Sequence, residues 1–234
     1  KKLASDVKNP VSGELMDLSD IKLGRFRLRE GGEVGALYAD RRVEKNDEGY
    51  IPYTPGQTIA TENTTPFKIG TVNPKWNLGW RHGFNYKGIN ASVMFTARIG
   101  GNVISKTQAT LDRFGVSKTS ADARETGYVM LGNIKMEPQD YYGTIYDLDS
   151  YYVYSATNIR LQEASIGYTL PNKWFGNVVK NVNVSVYGTN LWMIYNKAPY
   201  DPELTALTGT FGQGYDYFML PSSRTYGFSL KFGF

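Results

Sequence analysis

The chain has 234 residues, no cysteine and a formal net charge of +4, from 26 basic and 22 acidic side chains. The missing cysteines exclude a disulfide scaffold and a thiolate metal site, and the small, dispersed charge does not indicate nucleic-acid binding. Aromatic residues form 14% of the chain, yet the mean hydropathy is −0.39 and no apolar run is long enough for a membrane helix, which leaves the β-barrel among membrane proteins.

The first predicted strands are two weakly apolar stretches, residues 21–28 and 34–39, on either side of a Gly-rich turn. A much stronger pattern follows, because apolar and polar residues alternate through residues 76–86 and again through residues 89–99. Such alternation puts the apolar residues on one face of a β-sheet and the polar residues on the other. The sequence therefore predicts two long strands joined by a short turn.

Three further alternating segments lie at residues 163–170, 181–194 and 225–234, which brings the total to about seven strands. The longest segments are about twice the usual strand length of roughly 5–6 residues. Eleven residues with a rise of about 3.3 Å, tilted by about 40°, span roughly 28 Å, close to the thickness of a bilayer core. The predicted fold class is all-β, an antiparallel transmembrane β-barrel.

The predicted connections alternate between short and long. The short ones are residues 29–33, 87–88 and 171–180, and the long ones are residues 40–73, 101–157 and 195–222. Outer-membrane barrels show this alternation, with tight periplasmic turns and long extracellular loops. Seven strands do not close a bacterial barrel, and an open edge would leave unpaired backbone groups in lipid. We therefore expect either one further strand or a part of a larger barrel.

Four segments carry a resemblance to a known family. They read NPKWNLGWRHGFNYKGINASVMF, IRLQEASIGYTLP, VYGTNLWMIYNKAPYDPE and GYDYFMLPSSRTYGFSLKFGF, within residues 73–95 and 159–234. These segments resemble the SusC/RagA-like TonB-linked outer-membrane transporters of Gram-negative bacteria. The stretches RLQEASIGYTLP and NLWMIYNKAPYDPE are specific, whereas the chain before Asn73 matches only loosely.

The resemblance implies a protein several times longer than this chain, with a barrel similar to the 22-stranded transporters whose lumen is plugged. Residues 1–234 would then be the C-terminal segment of the barrel domain, without the plug and the TonB box. The implied function is import of glycans or peptides across the outer membrane, with no enzymatic activity and no cofactor. The implied partners are a SusD-like surface lipoprotein, the TonB complex, outer-membrane lipid and the substrate, and not nucleic acid.

Two predicted extracellular loops hold the candidate contacts for the substrate or the lid lipoprotein. Residues 139–154 are rich in tyrosine, whose ring can stack on sugars or anchor a protein interface, and residues 196–222 add acidic side chains. The candidates are Tyr141, Tyr142, Tyr146, Tyr151, Tyr152, Asp201, Glu203, Tyr215 and Asp216. Simpler interpretations stay open: an aromatic belt with loop packing for the tyrosines, and turn formation beside Pro and Gly for the acids.

No catalytic or metal site is expected. His82 is the only histidine, which excludes a His-based triad or a multi-His zinc site within the chain. Asp147 and Asp149 form an isolated pair that is a very weak calcium pattern, because the Gly and the distal Glu of a calcium loop are missing.

The last predicted strand resembles the C-terminal signal that is read by the barrel-insertion machinery of the outer membrane. The matching residues are Thr225, Gly227, Leu230, Phe232 and Phe234. A strand that pairs by edge addition and presents one apolar face is the physical basis of this signal. An ordinary lipid-facing strand with an aromatic girdle residue would show the same pattern.

Two other functions fit the same residues. One is a self-contained small outer-membrane barrel acting as a pore or an adhesin, which heat-modifiable gel mobility of this segment alone would favour. The other is a soluble β-sandwich carbohydrate-binding module, which detergent-free solubility as a folded monomer would favour.

Overall fold

The chain forms two compact units in a computed structural model that describes residues 21–23, 26–28, 32–132, 134–175, 179–204 and 213–233. The first, here called the mixed unit, comprises Lys1–Asn73, Gly101–Ser155 and Glu203–Met219. The second, here called the sheet unit, comprises Pro74–Gly100, Ala156–Pro202 and Leu220–Phe234.

Strands dominate both units, and seven of those described have eight residues or more. In chain order the strands are β1 Ile21–Leu23, β2 Phe26–Leu28, β3 Ala36–Val43, β4 Thr61–Thr71, β5 Trp76–Tyr86, β6 Ile89–Ile99, β7 Asn102–Ser105, β8 Val129–Leu131, β9 Ile134–Met136, β10 Val153–Ser155, β11 Asn158–Thr169, β12 Lys180–Asn196, β13 Tyr215–Asp216 and β14 Thr225–Gly233. The helices are α1 Lys106–Arg113, α2 Lys118–Thr126 and α3 Pro138–Ile145, and single 3-10 turns lie at Asp149–Tyr152 and Asn172–Trp174.

The sheet unit is one antiparallel sheet with the strand order β14-β12-β11-β6-β5. Its register aligns the apolar rows of neighbouring strands, because Ile166 of β11 pairs with Val186 of β12, which pairs with Phe228 of β14. Trp80 and Phe95 are partners at the other side of the sheet, with ring centroids 5.7 Å apart. All five strands therefore present their apolar residues on the same face.

A bulge in β11 keeps this face continuous. Leu161 pairs with Phe95 and Glu163 pairs with Met94, so Gln162 is an extra residue on β11 relative to β6. Without an extra residue, Leu161 and Ala164 would point to opposite faces, because side chains alternate with a period of two. The bulge restores the phase, and Leu161 joins Ile166 on the apolar face.

The opposite face of the sheet unit is polar. Ser92 and Ser165 share a hydrogen bond of 2.8 Å across β6 and β11, and Asn183 donates to the Thr169 hydroxyl at 3.0 Å across β11 and β12. Arg81 of β5 forms an ion pair with Glu163. Hydrogen bonds thus connect neighbouring strands on this face, and the ion pair connects β5 with β11 across β6.

The mixed unit instead has an interior of its own. Leu148, Met136 and Ala109 are each at most 1% exposed and form one apolar cluster with residues from the strands and helices around them. A smaller cluster contains Leu37 and Ile104. Ile104 belongs to β7, the central strand of a three-stranded sheet in which β13 lies parallel to β7 and β10 lies antiparallel. Apolar burial of this kind is the main favourable term in folding.

Helices α1 and α2 of the mixed unit begin at serine N-caps. The Ser105 hydroxyl accepts from the Gln108 amide at 3.0 Å at the start of α1, and Ser117 accepts from the Ser120 amide at 3.0 Å at the start of α2. Helix α2 ends at Gly127, whose φ of 81° is the left-handed conformation that glycine tolerates best. None of the helices in the described part of the chain is long and apolar enough to cross a membrane.

Three expectations about the elements need correction. Residues 40–73 were expected to form a long loop, but β4 occupies their second half and pairs with β3. Residues 101–157 are also not a loop, since they contain all three helices and four short strands. The predicted strand at residues 21–28 is two short strands, β1 and β2, that pair antiparallel.

Strand β4 and the three helices could not be predicted from the sequence pattern, for two different reasons. Strand β4 reads TENTTPFKIGT, in which threonine and Pro66 break the alternation of apolar and polar residues, and its register with β3 is irregular. The helices are only 8 or 9 residues long, too short for a helical period to stand out.

Candidate functional site

The candidate tyrosines lie in and just after α3 of the mixed unit, and they differ strongly in exposure. Tyr142 and Tyr152 are 8% and 3% exposed and belong to the main apolar cluster. Tyr141 is half-buried and meets the Tyr142 ring edge-on, with centroids 5.1 Å apart. Tyr151 is 42% exposed and is the candidate that offers most of its ring to a ligand or a partner.

Tyr146 is half-buried beside two cations. The Lys106 ammonium lies 3.8 Å from the centroid of its ring, and the Arg113 guanidinium lies 4.3 Å from it. Lys106 also donates to the Tyr146 carbonyl at 2.5 Å and lies 3.8 Å from the Asp147 carboxylate. The ring of Tyr146 is therefore held by cation–π contacts within the unit, and Asp147 is engaged with a lysine.

Burial raises the pKa of four of the candidate tyrosines. Desolvation, with smaller contributions from Tyr151, Tyr142 and Asp112, raises the pKa of Tyr141 to about 12. Desolvation likewise raises the pKa of Tyr142, Tyr151 and Tyr152 above that of a free tyrosine. Ionisation of these four phenols is therefore less favourable than that of an exposed tyrosine.

Asp216 and Tyr215 form the short strand β13 inside the mixed unit. The Ser105 hydroxyl donates to the Asp216 carboxylate at 2.7 Å, and Asp216 is 3% exposed. Tyr215 packs against the smaller apolar cluster, whereas Glu203 is exposed. Asp216 thus connects β13 to the residue that caps α1.

Asp201 lies in a buried ion pair of the sheet unit. The Arg160 guanidinium donates to both carboxylate oxygens of Asp201, at 2.7 and 3.1 Å, and the two side chains are 5% and 7% exposed. Arg160 also donates to the side-chain oxygens of Asn158 and Asn190 at 3.4 Å. A bidentate pair with additional hydrogen bonds is the geometry that a buried charge requires.

Neighbouring residues fix the segment that carries Asp201. The Asn196 side chain donates to the carbonyls of Ala198 and Tyr200 at 3.0 and 2.8 Å, and its oxygen accepts from the Ala198 amide at 3.0 Å. This side chain therefore folds the start of the PYDPE segment back toward the end of β12, which brings Asp201 to Arg160. Sequence reasoning named Asp201 but missed Arg160, whose position in the RLQEAS stretch gave no sign of its partner.

No metal site is found in the part of the chain that the structure describes, where no three His, Asp or Glu side chains converge. His82 is exposed on the apolar face of β5, with its ring 5.8 Å from that of Trp80. This arrangement positions the imidazole beside an aromatic ring.

The expected insertion signal falls on the edge strand β14. Leu230 and Phe232 are 51% and 57% exposed on its apolar face, and Gly227 lies on the polar face beneath the Tyr187 ring of β12. A Cβ on Gly227 would come within 2.5 Å of the Tyr187 ring, so a larger residue there would require this ring to move. Thr225 begins the strand, and Phe234 lies outside the described residues.

The most prominent surface of the sheet unit is its apolar face. Large side chains from the outer and central strands are more than half exposed there, among them Trp80 at 60%, Ile166 at 56% and Phe228 at 73%. Soluble monomers rarely expose an apolar surface that continues over several strands. This face therefore requires an apolar environment.

Comparison with known proteins shows which proteins the chain resembles. No family model matches the chain. A curated relative, "TonB-dependent receptor P3" of Formosa agariphila, is 26% identical over 230 residues, which cover 88% of this chain and 23% of the relative. The resemblance to SusC/RagA-like TonB-dependent transporters is confirmed.

Solved structures agree with this assignment at the level of the fold. The RagAB peptide importer in the closed-closed state has a TM-score of 0.61 at 18% identity over 91% of this chain, and in the open-open state 0.59 at 18% identity over 85%. The RagAB peptide transporter gives 0.53 at 21% identity. The chain spans 22% to 24% of these structures, as it spans 23% of the curated relative.

Proposed function

We propose that residues 1–234 are the C-terminal segment of the barrel domain of a TonB-dependent importer in the outer membrane of a Gram-negative bacterium. In this proposal the five strands of the sheet unit are an arc of a wall that is closed, as a barrel of 22 strands, by the rest of a longer protein. The similar proteins are named as a TonB-dependent receptor and a peptide importer. This similarity supports TonB-dependent import as the general function.

The exposed apolar face of the sheet unit is the observation that carries this proposal. A bilayer supplies the apolar environment that this face needs, and β5 and β6, with 11 residues each, are long enough to cross its core. A soluble β-sandwich buries the apolar face of each sheet against a second sheet, whereas Phe84 and Val186 are 53% and 55% exposed here. The face therefore favours a membrane wall over a carbohydrate-binding sandwich.

The polar face fits the lumen side of such a wall. Arg81, Glu163 and the paired Ser92 and Ser165 hydroxyls all lie on it. Charged groups in a lumen stay hydrated or contact the plug, whereas a Lys or Arg at the lipid midplane costs about 2–4 kcal/mol. The distribution of charge over the two faces thus agrees with the proposed orientation.

The substrate is a glycan or a peptide, and the partners are a SusD-like surface lipoprotein and, through segments outside this chain, the TonB complex. The RagAB structures are named as peptide importers, which supports import as the process. Among the candidate contact residues, Tyr151 and Glu203 have the exposure that a contact needs. We assign Asp201 to the interior of the sheet unit and Asp216 and Tyr152 to the interior of the mixed unit, since these side chains are buried.

Lipid exposure tests the proposal directly. Single cysteines replace Ile166 and Ser165, neighbours on opposite faces of β11, in the full-length protein. This chain has no cysteine of its own, and any cysteine outside it is first replaced by serine. A bimane label at Ile166→Cys is expected to be quenched by nitroxide lipids in reconstituted vesicles, and the label at Ser165→Cys is not. Equal quenching at both positions would exclude a lipid-facing wall.

Uptake tests the tyrosine contact separately. Tyr151→Ala is expected to reduce uptake or lipoprotein binding, and Tyr128→Ala, an exposed tyrosine of the same unit outside the candidate loop, is the matched control. Unchanged uptake and unchanged lipoprotein binding in Tyr151→Ala would remove Tyr151 from the contact but leave the import proposal in place.

A further inference from the structure

The mixed unit contains a cleft of about 610 Å³ between the end of α1, the helix α2 and the start of α3. Two guanidinium groups, Arg113 and Arg124, line it together with the exposed Phe114 ring and Tyr142. This volume is within the usual range for small-molecule sites. None of the sequence candidates except Tyr142 lies in its wall.

The two arginines converge on the cleft without a carboxylate partner of their own. Arg124 donates to the Gly115 carbonyl at 2.5 Å, and Gly115, at a φ of 71°, has no side chain to obstruct this approach. Arg113 has its guanidinium over the Tyr146 ring. Within the described residues neither arginine forms an ion pair, so most of their N–H donors are available.

The lining holds two carboxylates, Asp112 and Glu137, beside the two arginines, and neither forms an ion pair with them in the described part of the chain. Asp112 is 6% exposed, and its carboxylate already accepts from Gln108 at 2.7 Å and from the Thr119 hydroxyl at 3.1 Å. Glu137 at the start of α3 is exposed and is the remaining carboxylate of the lining. Two exposed guanidinium groups thus face one exposed carboxylate.

A second depression of about 600 Å³ continues from the first, with Arg113 and Gln139 in the lining of both. The Asp140 carboxylate in its wall is engaged, because it accepts from the Tyr53 hydroxyl at 2.9 Å and from the Gly56 amide at 2.8 Å. Gln57 and Thr58 add further hydrogen-bonding groups. The two depressions together have room for a chain of several units, with Arg113 at their junction.

We propose that this cleft binds a carboxylate group of a ligand through Arg113 and Arg124, with the rest of the ligand against Phe114 and along the second depression. The guanidinium fork matches the two oxygens of a carboxylate, and a ring beside it supplies apolar contact. The C-terminal carboxylate of a peptide and the carboxylate of a uronic sugar share this chemistry. The carboxylate site can be tested independently of the proposed import, because ligand binding can be measured in the purified protein without TonB or lipid.

Calorimetric titration of the purified full-length protein in detergent tests the site. The probes are N-acetylated trialanine with a free or an amidated C-terminus, and trigalacturonate or its methyl ester. At least one acid probe is expected to bind, about tenfold or more tightly than its neutral form, because charged hydrogen bonds are the stronger ones. The acid that binds identifies the source of the carboxylate as peptide, sugar or both.

Variants separate the site from the fold. Arg113→Gln and Arg124→Gln are each expected to lower the affinity for the acid probe about tenfold. Arg42→Gln is the control: it removes a guanidinium that is stacked on Phe67 elsewhere in the unit, and it should leave the affinity unchanged. Glu137→Gln removes a charge that repels the acid probe and is expected to raise the affinity for this probe about threefold. A misfolded variant cannot give such a gain in affinity.

Three results would overturn the proposal: no binding of either acid probe, equal binding of acid and neutral forms, or equal losses in Arg113→Gln and Arg42→Gln. None of them bears on import, since uptake is measured separately in cells. A transporter that imports normally while its purified form binds no acid would refute the carboxylate site alone.

Discussion

The two units of this chain place their apolar side chains in opposite ways. In the sheet unit Trp80 and Phe228 are 60% and 73% exposed, whereas in the mixed unit Leu148 and Ile104 are each 1% exposed. The mixed unit encloses an apolar core within itself, although some apolar side chains such as Phe114 stay exposed. The sheet unit buries a charged pair, Arg160 and Asp201, and leaves its apolar residues outside. One sequence thus encodes both a self-contained core and a face that needs an external apolar environment.

The largest effect is expected at the buried ion pair of the sheet unit. Arg160→Ala should lower the free energy of unfolding by about 3–5 kcal/mol, because it leaves Asp201 buried without its partner. The matched control is Arg81→Ala on the same sheet, whose pair with Glu163 is 58% and 42% exposed and should contribute about 1 kcal/mol or less. Denaturant unfolding of the full-length protein in lipid vesicles measures both, and similar losses would contradict the contrast.

The core of the mixed unit should respond to a cavity. Leu148→Ala is expected to lower the free energy of unfolding by about 2–5 kcal/mol, since Leu148 is 1% exposed in the main apolar cluster. Val116→Ala, at a residue 68% exposed in the same unit, should change little. Hydrogen exchange of the α3 amides reports the local opening free energy, and unchanged protection in Leu148→Ala would mean that this core is not what holds α3.

Adjacent residues on β14 test the apolar face by charge. Phe228→Lys should cost about 2–4 kcal/mol in vesicles, because it puts an ammonium on the proposed lipid face. Ser229→Lys places the same charge on the polar face, where Lys231 already lies, and should cost far less. The measurement is the unfolding free energy in lipid, and equal costs would remove the distinction between the two faces.

A smaller steric effect is expected at Gly227. Gly227→Ala should lower the free energy of unfolding by about 1–3 kcal/mol, because its Cβ would lie 2.5 Å from the Tyr187 ring and the ring would have to move. Gly83→Ala is the control on β5, since nothing lies within 4 Å of its Cβ position. Unfolding in vesicles compares the two, and a neutral Gly227→Ala would show that the Tyr187 ring moves freely.

The smallest effect concerns Tyr141 at high pH. Because burial raises its pKa from 10.0 to about 12, the folded state favours the neutral phenol, and this contribution to stability is complete below pH 10 and lost as the pH rises to about 12. The ultraviolet titration of the phenolate should lose one group near pH 12 in Tyr141→Phe. Loss of a group that titrates near pH 10 would show that Tyr141 is solvated.

Much of the sheet unit could be predicted from the sequence. Strands β5 and β6 lie where the alternation placed them, since side-chain direction in a strand depends on position parity and on nothing distant. The bulge at Gln162 could have been found as well, because Leu161 and Ala164 break the phase of the alternation. The resemblance of the C-terminal segments supplied the family, which alternation alone does not specify.

The mixed unit was harder to predict because its elements are short and its contacts are distant. One sign was present: Ser105 followed by Gln108 is a capping-box pattern, and Ser105 does cap α1. The sequence predicts residues 139–154 as an exposed loop, whereas Tyr142 and Tyr152 belong to the main apolar cluster. Polar sequence around a short helix does not distinguish a surface loop from a packed unit.

The sequence by itself determined which residues of each long strand share a face, because that property is local and repeats every two residues. Only the tertiary structure decided which candidates are buried and which charges meet. Arg160 and Asp201 are 41 positions apart, and the two arginines of the cleft come from different helices. Such pairings depend on how the chain returns to itself, which a pattern within one segment does not contain.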